Sequence, residues 1–321
     1  MARKKPSLED RLEDLSRLAD EADPEVRLDG LRRALMSHSL LAGKAARLAR
    51  ERGLSELADD MAAAFERFLA DPASDDKGCI AKTEIARTLL ELEEPRRELF
   101  LAGSRHVQPE PSFGKPVDAA AELRGICAHG LFASGHRLAV LEAVRLLADP
   151  EWRVRAEAAR SLTGSSRLEA EPVLRLKALL GDEEPEVVSE CFAALLHLAR
   201  EEALDFVAGF LDGPPLVAQA AALALGESRL EGAVGALTAV YGTCADPELR
   251  RTLLLAVAMT RREPAFDYLF QLVANARPGR AAEALAALAI HRHDEGLVER
   301  VEGVVRERGE PELRAVFRRE F

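Results

Sequence analysis

The chain has 321 residues, of which 48% are hydrophobic, 31% charged and only 5% aromatic. This length is near the limit for one compact core, but it is compatible with an elongated array of small units. The formal net charge of −11 disfavours a broad surface for nucleic-acid phosphates. The chain has neither an N-terminal apolar run typical of a secretory signal nor an uncharged segment long enough to span a membrane. We therefore expect a cytoplasmic protein.

Residues 1–102 predict irregular N-terminal helical repeats or a helical cap. The segment ADPEVRLDGLRRAL, residues 22–35, places Asp23 before a proline, where its carboxylate can cap a helix. Residues 39–70 contain two amphipathic segments, and residues 79–95 resemble a divergent helical unit. This region is therefore helical but irregularly spaced.

Residues 103–116 interrupt the helical pattern with an inserted Pro- and Gly-rich loop. Pro109, Pro111 and Pro116 oppose helix formation, and a long loop inside a compact array is usually functional or disordered. We predict either a recognition element laid over one edge of the array or a connector between two units. The candidates for partner binding are Arg105, His106, Gln108, Glu110, Phe113, Asp118 and Arg124.

Two structural expectations follow for this loop. If it folds back on the array, Arg105, Asp118 and Arg124 can form a polar cluster with it. Otherwise, Asp118 and Arg124 only cap and brace the following helix. Because an exposed loop contributes little to stability, we also expect that replacing Gln108 and Glu110 together leaves the melting temperature almost unchanged.

Residues 117–321 predict a regular array of helical hairpins. Prolines recur there at a period typical of stacked hairpins, and proline suits the first position of a helix because its missing N–H is not needed there. An aspartate precedes the proline at Asp149 and Asp246 and can cap the helix. The recurring prolines are Pro150, Pro185, Pro215, Pro247, Pro278 and Pro311.

Two columns of residues recur near the end of each first helix. The first column contains leucines, and the second contains a small residue four positions earlier. The leucines are Leu131, Leu162, Leu195, Leu225 and Leu288. The small residues are Cys127, Ala158, Cys191, Ala221 and Ala284. Positions four apart share a helix face, so we expect both columns to be buried where neighbouring helices approach each other.

The motif Asp-Pro-x-x-Arg-x-x-Ala, together with this period, resembles the HEAT-repeat superfamily, specifically its short-unit, phycobilisome-lyase-like HEAT repeats. The resemblance covers roughly two-thirds of the chain, from about residue 117 to residue 321. It implies an all-α fold, a right-handed α-solenoid of stacked helical hairpins of about 31–35 residues each. The second helix of each hairpin carries one apolar stripe, which only a neighbouring hairpin can cover.

The resemblance implies a non-catalytic scaffold or adaptor that binds another protein through its concave or edge surface. The alternative is a phycobilin-lyase-like or chaperone-type modifier of a thiol-linked group, which an accessible cysteine or a deep apolar pocket would favour. Nucleic-acid binding is the third possibility. It would require a coherent basic patch, with neighbouring acids turned away, formed by Arg32, Arg33, Lys44, Arg47 and Arg50.

No pattern in the sequence predicts catalysis, a cofactor or a metal site. Phosphate-loop, dinucleotide-binding and zincin motifs are missing from the sequence. His291 and His293 lie at a predicted turn with no cysteine nearby to complete a zinc site. The cysteines are too far apart in sequence for a zinc knuckle or a dense disulfide framework. They are Cys79, Cys127, Cys191 and Cys244.

Overall fold

The computed structural model describes residues 7–321, which form α-helices almost throughout. The chain divides into two compact units, the first ending at Ser165 and the second spanning Ser166–Phe321. This division falls within the predicted regular array, so the Pro- and Gly-rich stretch lies inside the first unit.

The first unit combines α-helices with one small antiparallel sheet. Its helices are α1 (Leu8–Ala19), α2 (Pro24–Leu35), α3 (Ser39–Arg52), α4 (Ala58–Ala70), α5 (Pro72–Asp75), α6 (Ile80–Glu91), α7 (Arg97–Arg105), α8 (Ala121–Ala133), α9 (Ala139–Leu146) and α10 (Trp152–Ser161). Its strands are β1 (Pro109–Glu110) and β2 (Val117–Asp118). Helices α3, α6, α8 and α10 pack on one another in that order, with Phe65, Phe68 and Phe100 in the core. Short 3₁₀ turns occur at Ser55–Leu57, Lys77–Cys79 and Leu162–Gly164.

The second unit is a stack of helical hairpins. Its helices are α11 (Arg167–Leu180), α12 (Pro185–Ala199), α13 (Glu201–Ala208), α14 (Pro215–Ser228), α15 (Glu231–Thr243), α16 (Pro247–Met259), α17 (Glu263–Asn275), α18 (Pro278–Leu288), α19 (Glu295–Arg308) and α20 (Pro311–Glu320). A 3₁₀ turn, Ala289–His291, follows α18. Helices α12, α14, α16, α18 and α20 pack in sequence as one layer, while α13 packs on α15 and α17 on α19. The prediction of an all-α fold of solenoid type is confirmed.

The recurring prolines begin helices, with one exception. Each of α12, α14, α16, α18 and α20 has its proline as the first helical residue. Asp23 and Asp246 cap α2 and α16 by accepting backbone N–H hydrogen bonds, as predicted. After Pro150, however, the helix begins only at Trp152. The carboxylate of Asp149 is bound to Arg124 there, and its Oδ1 also accepts from the N–H of Glu151.

Both predicted columns near the ends of the first helices are buried. All five leucines and all five small residues have no exposed surface. The closeness of the helices is clearest where α14 crosses α16. A Cβ atom on Gly226 would lie 2.6 Å from the carbonyl oxygen of Ala256 and 2.8 Å from its Cα. Because both obstacles are backbone atoms, this crossing requires glycine.

We predict opposite effects on stability for two glycine-to-alanine substitutions within helices. Gly226→Ala should lower the free energy of unfolding by about 1–3 kcal/mol, because its new methyl group forces α14 and α16 apart. Gly235→Ala, in α15, should raise it by up to about 1 kcal/mol, because the added Cβ meets no atom within 4 Å. Urea unfolding followed by circular dichroism measures both. Equal shifts of the two midpoints would contradict a close crossing at Gly226.

Candidate interaction site

The Pro- and Gly-rich stretch folds into a short β-hairpin between α7 and α8. Strand β1 pairs antiparallel with β2, with Pro109 opposite Asp118, and the N–H of Ala119 donates to the carbonyl oxygen of Gln108 at 2.9 Å. The prediction of an irregular loop over residues 103–116 is corrected in two respects. Helix α7 continues to Arg105, and the remainder has a paired stem. Proline is compatible with a strand of this kind because the strand lies at a sheet edge.

Arg124 holds the base of the hairpin from inside the protein. Its side chain is 1% exposed, and Nε and Nη2 donate to the two carboxylate oxygens of Asp149, each at 2.9 Å. Nη1 donates to the carboxylate of Asp118 at 2.5 Å and to the carbonyl oxygen of His106 at 3.0 Å. One buried guanidinium therefore joins α8 to both sides of the hairpin stem and to the turn before α10.

Asp118 connects this cluster to the hairpin backbone. Its Oδ1 accepts from the N–H groups of Gln108, at 2.9 Å, and Ala120, at 3.0 Å. Burial alone would raise the pKa of Asp118, but these N–H donors and the guanidinium of Arg124 together bring it below its usual range. The carboxylate is therefore ionised at neutral pH and binds three groups at once.

Gln108 and Glu110 attach the hairpin to the turn before α6. Gln108 is 2% exposed, and its Nε2 donates to the carbonyl oxygen of Asp76 at 2.8 Å and to Glu110 Oε1 at 2.7 Å. The same Glu110 oxygen accepts from the N–H of Gly78 at 2.6 Å. His106 lies beside them, with Nε2 at 3.1 Å from Gln108 Oε1, and burial lowers its pKa. The expectation that Gln108 and Glu110 can be replaced together without loss of stability assumed an exposed loop, and the structure contradicts that premise, because Gln108 is buried and both side chains are hydrogen-bonded.

Arg105 takes a different partner from the one expected. Its guanidinium pairs with the nearly buried carboxylate of Glu142 on α9, while Asp118 and Arg124 form their cluster without it. Glu142 also accepts from Arg145 Nε at 2.9 Å. Hydrogen bonding to Arg105, although opposed by burial, lowers the pKa of Glu142. The structure therefore brings together two of the three residues predicted to cluster and places the third at a neighbouring ion pair.

The tip of the hairpin is exposed. Every residue from Pro111 to Val117 is accessible to solvent, and the ring of Phe113 is fully exposed. Among the seven candidates from the sequence, Phe113 and Arg105 are exposed, whereas Gln108 and Arg124 are buried. The candidate interaction site is therefore the exposed tip of a hairpin, and the stem of this hairpin is hydrogen-bonded to buried residues.

Sequence reasoning missed an acidic residue beneath the hairpin. Asp76 is fully buried and accepts from Lys82 Nζ at 2.9 Å and from the N–H groups of Ala81 and Lys82. Its carbonyl oxygen binds Gln108. An aspartate a few residues before a helix is a capping signal, which is the one indication the sequence offered.

The basic residues proposed for nucleic-acid binding lie among acids. Arg32 pairs with Asp60 at 3.1 Å, and Arg47 pairs with Glu84 at 3.1 Å. Lys44 donates to a backbone carbonyl oxygen instead of projecting freely. The condition that neighbouring acids turn away from this patch is therefore not met.

Three of the four thiols are inaccessible. Cys79, Cys127 and Cys191 have no exposed surface, and burial raises the pKa of Cys79 and of Cys191 to about 12. Burial raises the pKa of the Cys127 thiol as well. Cys244 is partly exposed, and its Sγ donates to the carbonyl oxygen of Asp246. The buried thiols are protonated at neutral pH and are poor nucleophiles.

Residues 7–321 offer neither a metal-binding cluster nor a membrane-spanning helix. Within this range, no three His, Cys, Asp or Glu side chains are grouped so that they could hold a metal ion. Nor does any helix there combine the length and the apolar character needed to cross a bilayer.

We predict that Asp118→Asn destabilises the protein in a pH-dependent way. The substitution removes the negative charge facing Arg124, so the free energy of unfolding should fall by about 1–3 kcal/mol at neutral pH. Because the folded-state pKa of Asp118 is lowered, the wild-type advantage is fully present above the ordinary carboxyl pKa and disappears as the pH falls through the folded value.

Urea unfolding at neutral and at acidic pH measures this difference. Asp212→Asn, at an exposed position, is the matched control and should change the free energy of unfolding little at either pH. A loss that is the same at both pH values would contradict the proposed role of the Asp118 charge.

One segment of the repeat array matches a family model. A family model described as HEAT repeats matches residues 140–215. The search of curated proteins found no match.

Three solved structures are similar to this chain at low sequence identity. YibA of E. coli is 15% identical with a TM-score of 0.45, covering 95% of this chain and 99% of its own. The complex of CpcE and CpcF of phycocyanin lyase from Nostoc sp. PCC7120 is 18% identical, with a TM-score of 0.37 and coverage of 96% and 99%. An engineered protein is 16% identical, with a TM-score of 0.36 and coverage of 97% and 98%. Residues 140–215 thus match the HEAT-repeat family, in agreement with the recurring prolines and the Asp-Pro motif of the sequence.

Proposed function

We propose that the chain is a non-catalytic scaffold that binds a partner protein, with the hairpin tip as one of its contacts. HEAT repeats generally serve in protein interaction, which supports the general class of function. The observation that carries the specific proposal is the fully exposed ring of Phe113 on a stem held by buried ion pairs. Large aromatic side chains of this kind are typical anchors at protein interfaces.

The fixed stem favours binding by the tip. Arg124 and Gln108 hold the base of the hairpin, so docking the tip requires little ordering of the backbone at this base. Pro111 and Pro116 flank the tip and restrict it further, because proline fixes its own φ angle. Binding through Phe113 therefore costs less free energy for ordering the loop than binding through a flexible connector would.

The chemistry of the tip indicates the kind of surface it fits. Phe113 is the aromatic residue of the tip, and Lys115 is the one charged residue between Pro111 and Val117. A complementary partner offers an apolar pocket for the ring and an acidic group beside it for the ammonium. The other candidates act through this tip: Asp118, His106 and Glu110 hold its stem, and Arg105 lies exposed at its foot.

We predict that Phe113→Ser weakens partner binding without changing the fold. Tagged wild-type protein and the variant are used to capture partners from a native extract, and each captured protein is quantified. Loss of the aromatic anchor should reduce recovery of one specific partner by about tenfold or more. The melting temperature should be unchanged, because the ring is fully exposed.

Leu141→Ser is the matched control because Leu141 is also an exposed apolar residue of the first unit, but it lies on α9. The control should recover the same partner as the wild type. Equal recovery by Phe113→Ser would remove the tip from the interface. Failure of the wild type to retain any protein would contradict the scaffold proposal itself.

A further inference from the structure

Helix α11 carries an exposed apolar row on the side opposite its buried face. Leu168, Leu176, Leu179 and Leu180 are 89%, 58%, 67% and 76% exposed. The buried side of the same helix consists of Ala170, Leu174 and Ala178. Leu168, Pro172, Leu176 and Leu180 follow one another at four-residue spacing, so they form a single ridge, and Leu179 lies beside it. This leucine ridge is distinct from the hairpin and belongs to the second unit.

The exposed area of the leucine ridge matches what a pair of chains requires. From their exposed fractions, the four leucines present about 500 Å² of surface, as much as the largest apolar patch on a typical monomer. Two such ridges in contact bury at most about 1,000 Å², which is near the lower limit for a specific interface and suits a weak dimer. The leucine ridge of one copy is therefore large enough to cover the leucine ridge of a second copy.

The spacing of the ridge suits packing against an identical ridge. Rows at four-residue intervals are the ridges that interdigitate in the commonest class of helix packing. The row from Leu168 to Leu180 is centred on Leu174. In an antiparallel pair, Leu168 of one copy therefore lies opposite Leu180 of the other, and Pro172 lies opposite Leu176. A two-fold axis closes such a contact after two copies.

The charges beside the ridge favour the antiparallel arrangement. Glu169 and Glu171 lie in the first half of α11, whereas Arg175 and Lys177 lie in the second half. Arg167 pairs with Glu171 and Glu202 of its own chain. Arg175 also pairs with Glu171, and Lys177 pairs with Asp182, so these charges act on a second copy in addition to their partners within the chain. Antiparallel pairing brings the acidic half of one helix near the basic half of the other. Parallel pairing would bring like charges together and align the helix dipoles.

We propose that the leucine ridge of α11 is a self-association surface, on which a second copy of this chain packs antiparallel about a two-fold axis. This proposal does not depend on the function of the hairpin. It concerns one contact between identical surfaces, and the residues that make this contact all lie on α11.

Sedimentation equilibrium over about 1–100 µM tests the self-association, because interfaces of this size often dissociate in the micromolar range. We expect the wild type to form dimers and the double variant Leu176→Glu, Leu180→Glu to be monomeric. Leu216→Glu is the matched control, because Leu216 is 61% exposed on α14, away from the ridge. It should dimerise as the wild type does. All three proteins should keep their helical circular dichroism spectrum, because the replaced side chains are exposed.

Mixing two single variants tests the antiparallel orientation. Leu168→Lys and Leu180→Glu should each dimerise poorly alone, because a charge then faces a leucine at both symmetric contacts. Mixed together, they should form a heterodimer with one Lys–Glu contact and one native leucine contact. A wild type that stays monomeric, or a double variant that still dimerises, would overturn the proposed surface. Heterodimers no more abundant than the homodimers would overturn the orientation.

Discussion

The pairing of the Arg124 guanidinium is the interaction on which the placement of the hairpin in the first unit depends. A buried charge left without a partner costs several kcal/mol, so a folded chain must bring acceptors to it. Here, Asp149 supplies both carboxylate oxygens, Asp118 a third acceptor and the backbone at His106 a fourth. The position of the hairpin relative to α8 is therefore set mainly by the pairing of one buried charge, and apolar packing contributes less to it.

The same cluster contains the aspartate that precedes Pro150, the one recurring proline that does not begin a helix. In α16, the aspartate before the proline caps the helix with its side chain. At Asp149, the carboxylate is engaged by Arg124 on its two oxygens, and α10 begins two residues after Pro150. A residue of the repeat consensus has thus been recruited to hold the inserted hairpin, which couples the individual feature of the chain to its regular architecture.

The two candidate surfaces differ in how they are supported. The tip at Phe113 is a short segment that needs its polar anchors, because its residues from Pro111 to Val117 are all exposed. The leucine ridge lies on a complete helix whose opposite face packs through Ala170, Leu174 and Ala178. Binding at the tip therefore depends on buried electrostatics at its base, while binding at the ridge depends only on α11 remaining folded. The two proposals can succeed or fail independently.

Periodic features were predictable from the sequence because they depend on local rules: a proline begins a helix, an aspartate caps it, and residues four apart share a face. The sequence by itself determined the all-α fold, the helix starts at five of the six recurring prolines and the buried columns at Leu195 and Ala221. Tertiary structure alone decided the hairpin and its anchors. Gln108 reaches Asp76 across 32 residues and Arg124 reaches Asp149 across 25, and no local pattern records such pairings. It also decided which side chains are exposed, since burial depends on neighbouring helices that are distant in the chain.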